Sequence, residues 1–278
     1  MKKLLTLALA MLMVLSLAAC GSSGTTEPSA NSATSTEEGA EATDITTVEP
    51  GKLILATNCQ FPPYEMVADG EGVYQGYEGI DIELATIIAE KLGLELQIDD
   101  MDFDSSLLAV QEGRSDILLA GLTYTDERDE VMDFTTKYAT GVQVVIVKEG
   151  SDVTMDNLGE KLVGTQRGTT GYQYASAAPE DGGFGEDHVL AYDNGATAVQ
   201  ALVNGQVDAV IIDEAPAEQY VAANDGLTIL PTAWVEEDYC IAVDEGNTAL
   251  LDAVQAILDE MQADGTLDAI IAKYISAD

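Results

Sequence analysis

Residues 117–134 read I-L-L-A-G-L-T-Y-T-D-E-R-D-E-V-M-D-F. The opening run, residues 117–122, is apolar and follows Asp116 directly, as suits a strand covered on both faces. The run then opens into Gly121, Thr123 and Thr125. Thr125 or Asp126 can cap a short helix that carries Arg128. A glycine, two hydroxyls and a guanidinium thus stand just past the C-terminal end of a buried strand, where ligands bind in open α/β sheets. A second stretch echoes the first. Residues 111–121 read Q-E-G-R-S-D-I-L-L-A-G, and residues 203–213 read V-N-G-Q-V-D-A-V-I-I-D. Aligning Gly113 with Gly205 places Asp116 on Asp208 and Gly121 on Asp213. One half offers Arg128 and Thr123 at its strand end; the other offers the carboxylate of Asp213. Two similar α/β halves with opposite charges at equivalent ends imply a cleft that holds a zwitterion, with both charges at its rim.

Strand and helix alternate on either side of this stretch, the signature of mostly parallel sheets. Residues 52–58 and 95–101 read as strands, residues 81–92 as a helix ended by Gly93, and residues 105–112 as a helix ended by Gly113. Residues 59–64 (C-Q-F-P-P-Y) read as a loop, because Pro62 and Pro63 break regular structure. Residues 137–141 interrupt the alternation, and residues 143–148 begin a fresh apolar strand. A second series follows: strand 161–165, helix 170–177, strand 189–192, helix 196–203 and strand 207–212, with 179–187 as a glycine-rich surface loop. Residues 227–230 are a short strand, 235–239 a polar second crossing and 239–243 a returning strand. Asn247 can cap a helix over 248–263, and a last helix covers 267–275.

The chain has 278 residues, 46% of them hydrophobic, enough for one large or two modest packed domains. Acidic residues number 50 and basic residues 11, for a formal net charge of −39. That balance argues against nucleic acid and against an electrostatic grip on anionic lipid. Residues 1–19 have a basic start and an apolar run, as in a signal peptide. The run ends Leu17-Ala18-Ala19-Cys20, which looks like a lipobox, so Cys20 is expected to become the lipidated first residue. Residues 20–50 are Ser, Thr, Glu, Ala and Gly with almost no large apolar side chain, an acidic tether that cannot bury a core. Cys59 and Cys240 form no disulfide framework.

Other chemistry finds little support. Asp100, Asp102 and Asp104 imitate a calcium loop, but Ser105 and Gln111 stand where it needs Gly and Glu. His188, the only histidine, has no serine elbow or HExxH around it. Neither a metal nor a cofactor is expected. Arg128 could pair with Asp126, Glu127, Asp129 or Glu130, but its place past the strand end favours the cleft. Residues 166–170 (Q-R-G-T-T) precede a helix start, where backbone N–H groups can meet a carboxylate. Phe61 and Phe103 are either core residues or the walls of the cleft mouth.

Taken together, F-P-P-Y-E (61–65), G-I-D-I-E-L-A (79–85), A-G-L-T-Y-T-D-E-R…D-F (120–134), Q-R-G-T-T (166–170) and V-D-A-V-I-I-D-E (207–214) resemble the polar amino-acid-binding proteins of ABC importers. The likeness covers residues 51–275. It implies a two-lobed, type II periplasmic-binding-protein-like α/β fold, each lobe a mostly parallel sheet flanked by helices, joined by two crossing strands. Residues 51–138 and 240–278 would form lobe 1, and 139–239 lobe 2. Arg128 would clamp an α-carboxylate with Thr123 and Thr170. Asp213 would take the α-ammonium, with backbone near Gly121. Phe61 and Phe103 would sandwich the side-chain stem, and Asn58 and Gln166 would face its distal group. Many relatives carry Asp at the position of Asn58 and Ser at that of Gly121; the first departure puts a cationic substrate in doubt. The implied protein is a monomeric receptor, lipid-anchored at the outer face of the cytoplasmic membrane. Its partners are a free, neutral polar amino acid, glutamine first, and an ABC permease. A dehydratase-like enzyme and a sensory or adhesive ectodomain are the alternatives. An enzyme needs an acid or base beyond the clamp; an ectodomain does not need opposed Arg128 and Asp213.

Overall fold

The computed structural model describes residues 45–275. Residues 1–19, Cys20 and most of the acidic tether lie outside the described residues. Strand β1 (Lys52–Thr57) is followed by a three-stranded ribbon, β2 (Gln60–Phe61), β3 (Glu65–Val67) and β4 (Tyr77–Glu78). Helix α1 (Ile80–Leu92) carries Asp81 and Glu83 in its first turn, where the helix dipole favours acids. It ends on Gly93, whose left-handed backbone (φ 69°) lets its N–H cap the last carbonyls. Next come β5 (Glu95–Asp100), α2 (Phe103–Gln111), β6 (Ile117–Leu118), α3 (Asp126–Asp129) and β7 (Met132–Phe134).

The long strand β8 (Ala139–Lys148) opens the second series: β9 (Val163–Gln166), α4 (Thr170–Ser176), β10 (Val189–Tyr192), α5 (Gly195–Val203), β11 (Ala209–Asp213), α6 (Glu214–Ala223) and β12 (Leu227–Ile229). Strand β13 (Val235–Tyr239) leads back to β14 (Ala242–Asp244), and α7 (Thr248–Asp264) and α8 (Thr266–Tyr274) end the described chain.

Two mixed sheets result, in the orders β5-β1-β6-β14-β7 and β10-β9-β11-β8-β12, with β13 also on β8. Parallel pairing holds β1 to β5 and β6, and β9 to β10 and β11; β14 and β8 run antiparallel to their neighbours. Strands β8 and β13 pair along residues 139–143 and 235–239. Gln143 is the junction: it lies opposite Val235 on one side and Asp213 on the other. Leu53, Leu55, Ile80, Leu84, Ile88 and Ile117 are fully buried in the first lobe, and Ile146, Val163 and Val210 in the second. Each such side chain contributes about 1.5–3 kcal/mol.

Several expectations need correction. The apolar run 117–122 is buried apart from half-buried Gly121, but only Ile117–Leu118 pairs as strand. Beyond them the chain turns through Gly121 (φ 52°) and leaves the ladder. Gln60–Phe61 is a short strand inside the segment read as loop, ending before a cis Pro62-Pro63 bond. Helix α6 forms where the sequence pattern predicts no element, with Pro216 in its first turn. Two turns of 3-10 helix, Pro179–Asp181 and Glu186–His188, interrupt the surface loop. Asn247 stands at the start of α7 without capping it, and its amide donates to the Thr46 carbonyl instead.

Candidate functional site

Both sheets present their strand ends to one cavity, and local structure fixes each side chain there. On lobe 1, Thr125 caps α3 by accepting the Arg128 N–H at 3.2 Å, which turns the Arg128 side chain inward. Arg128 Nη1 donates to the Thr123 carbonyl at 2.6 Å, and Nη2 reaches across to the Gly168 carbonyl at 3.0 Å. Its guanidinium lies 5.6 Å from the centroid of the Phe103 ring, a cation–π contact. Buried Nε has no protein partner. Burial pulls this guanidinium down to about 10, against the opposing pull of Glu237.

On lobe 2, Asp213 ends β11 and accepts from two residues of the crossing strands. The Tyr239 hydroxyl donates to Oδ1, and Gln143 Nε2 donates to Oδ2 at 3.0 Å. The same Gln143 nitrogen donates to Glu237 Oε2, also at 3.0 Å, and the Thr123 hydroxyl donates to that oxygen at 3.1 Å. Burial, then the nearby Glu237 charge, push the Asp213 carboxyl up to about 7, against the hydrogen bonds from Tyr239 and Gln143.

At the other end of the cavity, Gln166 Nε2 donates to Asn58 Oδ1 at 3.1 Å across the two lobes, and Asn58 Nδ2 donates to the Met101 carbonyl at 2.8 Å. Beneath the floor, the Gly121 N–H donates to Asp81 Oδ2 at 2.9 Å. Burial raises Asp81 to about 6 and holds Glu65 well above the usual carboxylate range.

The structure brings Asn58, Phe61, Phe103, Gly121, Thr123, Arg128, Gln166, Thr170 and Asp213 together around this one cavity. Phe61 stacks on Tyr64, and Thr170 opens α4 just past its cap, Thr169. Arg128 and Asp213 are 6% and 8% exposed, so they are buried rather than placed at a rim. Sequence reasoning missed Glu65 and Gln143, which also line the cavity, and Glu237, Tyr239 and Asp81 behind it. A signal existed for Gln143: it is the polar residue that starts an apolar run. Glu237 and Asp81 gave none, since acids in a polar strand or a first helical turn are ordinary. Cys20 falls outside the described residues, and among those residues no His, Cys, Asp and Glu side chains gather as a metal-ligand set.

The profile of the bacterial extracellular solute-binding proteins, family 3, matches residues 53–277. The arginine-binding extracellular protein ArtP of Bacillus subtilis is 30% identical over the whole of both chains. The L-cystine-binding protein TcyJ of Escherichia coli K12 is 32% identical over 83% of this chain and 85% of its own. Among solved structures, an ancestral arginine-binding protein bound to glutamine superposes with a TM-score of 0.73 at 37% identity, covering 82% of this chain and all of the other. Matched in sequence along nearly all its described length and in fold, the chain belongs to the family-3 bacterial extracellular solute-binding proteins.

Proposed function

We propose that the cleft takes one free L-α-amino acid and that the protein delivers it to an ABC permease. The observation that carries the reading is the placing of a buried guanidinium and a buried carboxyl group, Arg128 and Asp213, in one cavity with no salt bridge between them. Arg128 grips the α-carboxylate, helped by the Thr123 and Thr170 hydroxyls, and Asp213 takes the α-ammonium beside Gly121. A free amino acid is neutral overall, so the net charge of the protein matters little to it. Short charge-assisted bonds in a closed cleft do the selecting. Phe61 and Phe103 flank the side-chain stem.

The distal end is built from two amides, Asn58 and Gln166, with no ionised group on either. This favours a neutral polar side chain, glutamine first, because a hydrogen-bonding site rejects groups that leave it unpaired. Ancestral arginine-binding proteins are solved both with glutamine and with arginine, which makes these two the ligands to compare directly. The names of ArtP and TcyJ make arginine and cystine the ligands to exclude. Residues 51–138 with 240–278 close as one lobe on residues 139–239, with β8 and β13 as the hinge. The chain acts as a monomer, tethered by a lipidated Cys20 outside the cytoplasmic membrane.

Calorimetric titration with glutamine, arginine, lysine, histidine, cystine and glutamate tests the substrate. Glutamine is expected to bind most tightly. A strong preference for arginine, lysine or glutamate overturns the neutral distal site, and failure of every amino acid overturns the receptor itself.

A further inference from the structure

Asp213 and Glu237 each accept a bond from the same nitrogen, Gln143 Nε2, at 3.0 Å. Their two acceptor oxygens are therefore no more than about 6 Å apart, within the range where like charges disfavour joint ionisation. Both side chains are at least nine-tenths buried. No described base forms a salt bridge to either. Arg128, the cation on this side of the cavity, spends Nη1 and Nη2 on the carbonyls of Thr123 and Gly168. Lys137 lines an outer pocket with Glu237, but its ammonium is paired with Asp238 at 2.7 Å; the groups nearer Asp213 add negative charge or none. Tyr239 donates to Asp213, and Tyr64 stands edge-on to Tyr239. Glu65 and Asp81 lie under the floor on β3 and α1, and Tyr174 faces Glu237 from α4.

We propose that Glu237 is a positioning residue that keeps the Asp213 carboxyl protonated in the empty cleft, so that capture of an amino acid releases that proton. The inference rests on the reading of Asp213 as the ammonium site. The step balances simply. Asp213–COOH and a ligand R–NH3+ give Asp213–COO⁻ paired with R–NH3+, and one proton passes to the buffer. No covalent bond beyond the O–H breaks. Glu237 does not touch the ligand; it acts through Asp213 by its charge and through the shared amide of Gln143. The ligand's ammonium replaces the proton as the positive partner of the buried pair, and the Tyr239 hydroxyl and the Gln143 amide solvate the carboxylate that forms.

Burial and Glu237 place the Asp213 transition at about 7, which sets the working range. Below it the proton competes with the ammonium; above it the site is already ionised. Affinity should therefore rise by about tenfold from pH 6 to pH 8, and the proton released per ligand should fall from nearly one to nearly none over that interval. The ligand's α-carboxyl titrates far below this interval, and its α-ammonium, held up by the adjacent carboxylate of a free amino acid, titrates above it.

The test is calorimetry with L-glutamine and with L-arginine, at pH 6 and pH 8, in buffers of different ionisation enthalpy. The slope of heat against buffer enthalpy counts protons. The wild-type protein is expected to release close to one proton at pH 6. Glu237→Gln should release measurably less there and should move the pH dependence to lower pH, because burial, the larger cause, remains. Tyr239→Phe removes a donor to the carboxylate and should move the dependence to higher pH. Binding with no proton exchanged, or a Glu237→Gln variant with the wild-type proton count, overturns this inference and leaves the receptor reading standing. No binding of either amino acid at either pH overturns both. The wild-type count alone decides whether capture releases a proton, even if a variant does not fold.

Discussion

Asp116 and Asp208 make the same bond in the two sheets. The Asp116 carboxylate accepts the N–H of Ile54 at 2.7 Å, and the Asp116 N–H donates to the Ile54 carbonyl at 2.9 Å. Asp208 does both with Leu162, at 2.9 and 2.8 Å. Each follows a left-handed glycine, Gly113 (φ 63°) or Gly205 (φ 71°), and each pins the start of a central strand to its parallel neighbour. The pair differs in surroundings. Asp116 is buried and also accepts the Val48 N–H at 2.7 Å, whereas Asp208 is exposed. Removing a buried acceptor strands its donors and costs about 1–3 kcal/mol. Asp116→Ala is therefore expected to lower unfolding stability by that amount, and Asp208→Ala by less than half of it, in urea titrations of each variant.

Gly141 lies on β8 directly beneath the Tyr239 ring. A Cβ there would stand 2.3 Å from the Tyr239 Cζ and hydroxyl. The ring must move, and it holds the Asp213 carboxylate from behind. Gly141→Ala is expected to cost about 1–3 kcal/mol as an overpacked core does, and to weaken amino-acid binding as Asp213 loses its donor. Equal stability and equal affinity in the variant would show that the ring has room to shift.

What the sequence disclosed and what it hid follow from how each residue is used. The spacing Gly–x–x–Asp before an apolar run recurs because the same aspartate bond closes both lobes, so local pattern reveals global symmetry. Arg128 was visible because its capped helix is local. Glu237 was hidden because a strand reading V-E-E-D-Y looks solvated, and only pairing with β8 turns Glu237 inward. Asp81 was hidden for a similar reason: an acid in a first helical turn is expected on the surface, yet here Gly121 arrives from 40 residues away to cover it. Residues 117–122 looked like a full strand because burial and ladder pairing leave the same apolar signature. Helix α6 was hidden because Pro216 and a mixed, weakly amphipathic run concealed its periodicity.

Four buried carboxyls, Glu65, Asp81, Asp116 and Asp213, are raised above their ordinary values chiefly through burial, Asp81 to about 6 and Asp213 to about 7. The folded state therefore binds more protons than the unfolded chain between about pH 4 and pH 7. Their contribution to stability is complete below the unfolded value and is lost as pH rises through the folded ones. Acidification also relieves the repulsion of a chain with net charge −39. Calorimetric melting of the ligand-free protein should thus shift to higher temperature from pH 8 to pH 5, and Asp81→Asn should flatten part of that slope. A melting point that falls on acidification contradicts this assignment.

Cys59 and Cys240 are free and buried, at 3% and 4% exposure. Strand β6 separates β1, which Cys59 follows, from β14, which Cys240 precedes. Burial lifts both thiols, Cys240 to about 11. The thiolate is the reactive form, so both should resist alkylation. Iodoacetamide at pH 8 is expected to label neither site in the native protein and both in guanidinium, as read by peptide mass mapping. Rapid native labelling of Cys59 would show that the segment after β1 opens.

The α-carboxylate grip can be separated from mere packing. Arg128 spans the cleft by donating to Thr123 on one lobe and Gly168 on the other while its plane lies over Phe103. A lysine keeps the charge but not the planar fork, so it cannot make both bonds and still present two parallel donors to a carboxylate. Losing one side of a buried charge pair costs about 2–5 kcal/mol, or roughly 30-fold to several-thousand-fold in affinity. Arg128→Lys should weaken binding of the preferred amino acid by at least the lower figure, and Asp213→Asn should do the same from the ammonium end. Packing damage would penalise every ligand alike. A lost carboxylate grip should penalise only ligands that carry the carboxylate. The decarboxylated amine of the preferred amino acid should therefore bind the wild type weakly and Arg128→Lys no more weakly still, while Asp213→Asn weakens both compounds. If Arg128→Lys reduces affinity for the amine as much as for the amino acid, Arg128 holds the cleft together and does not read the carboxylate.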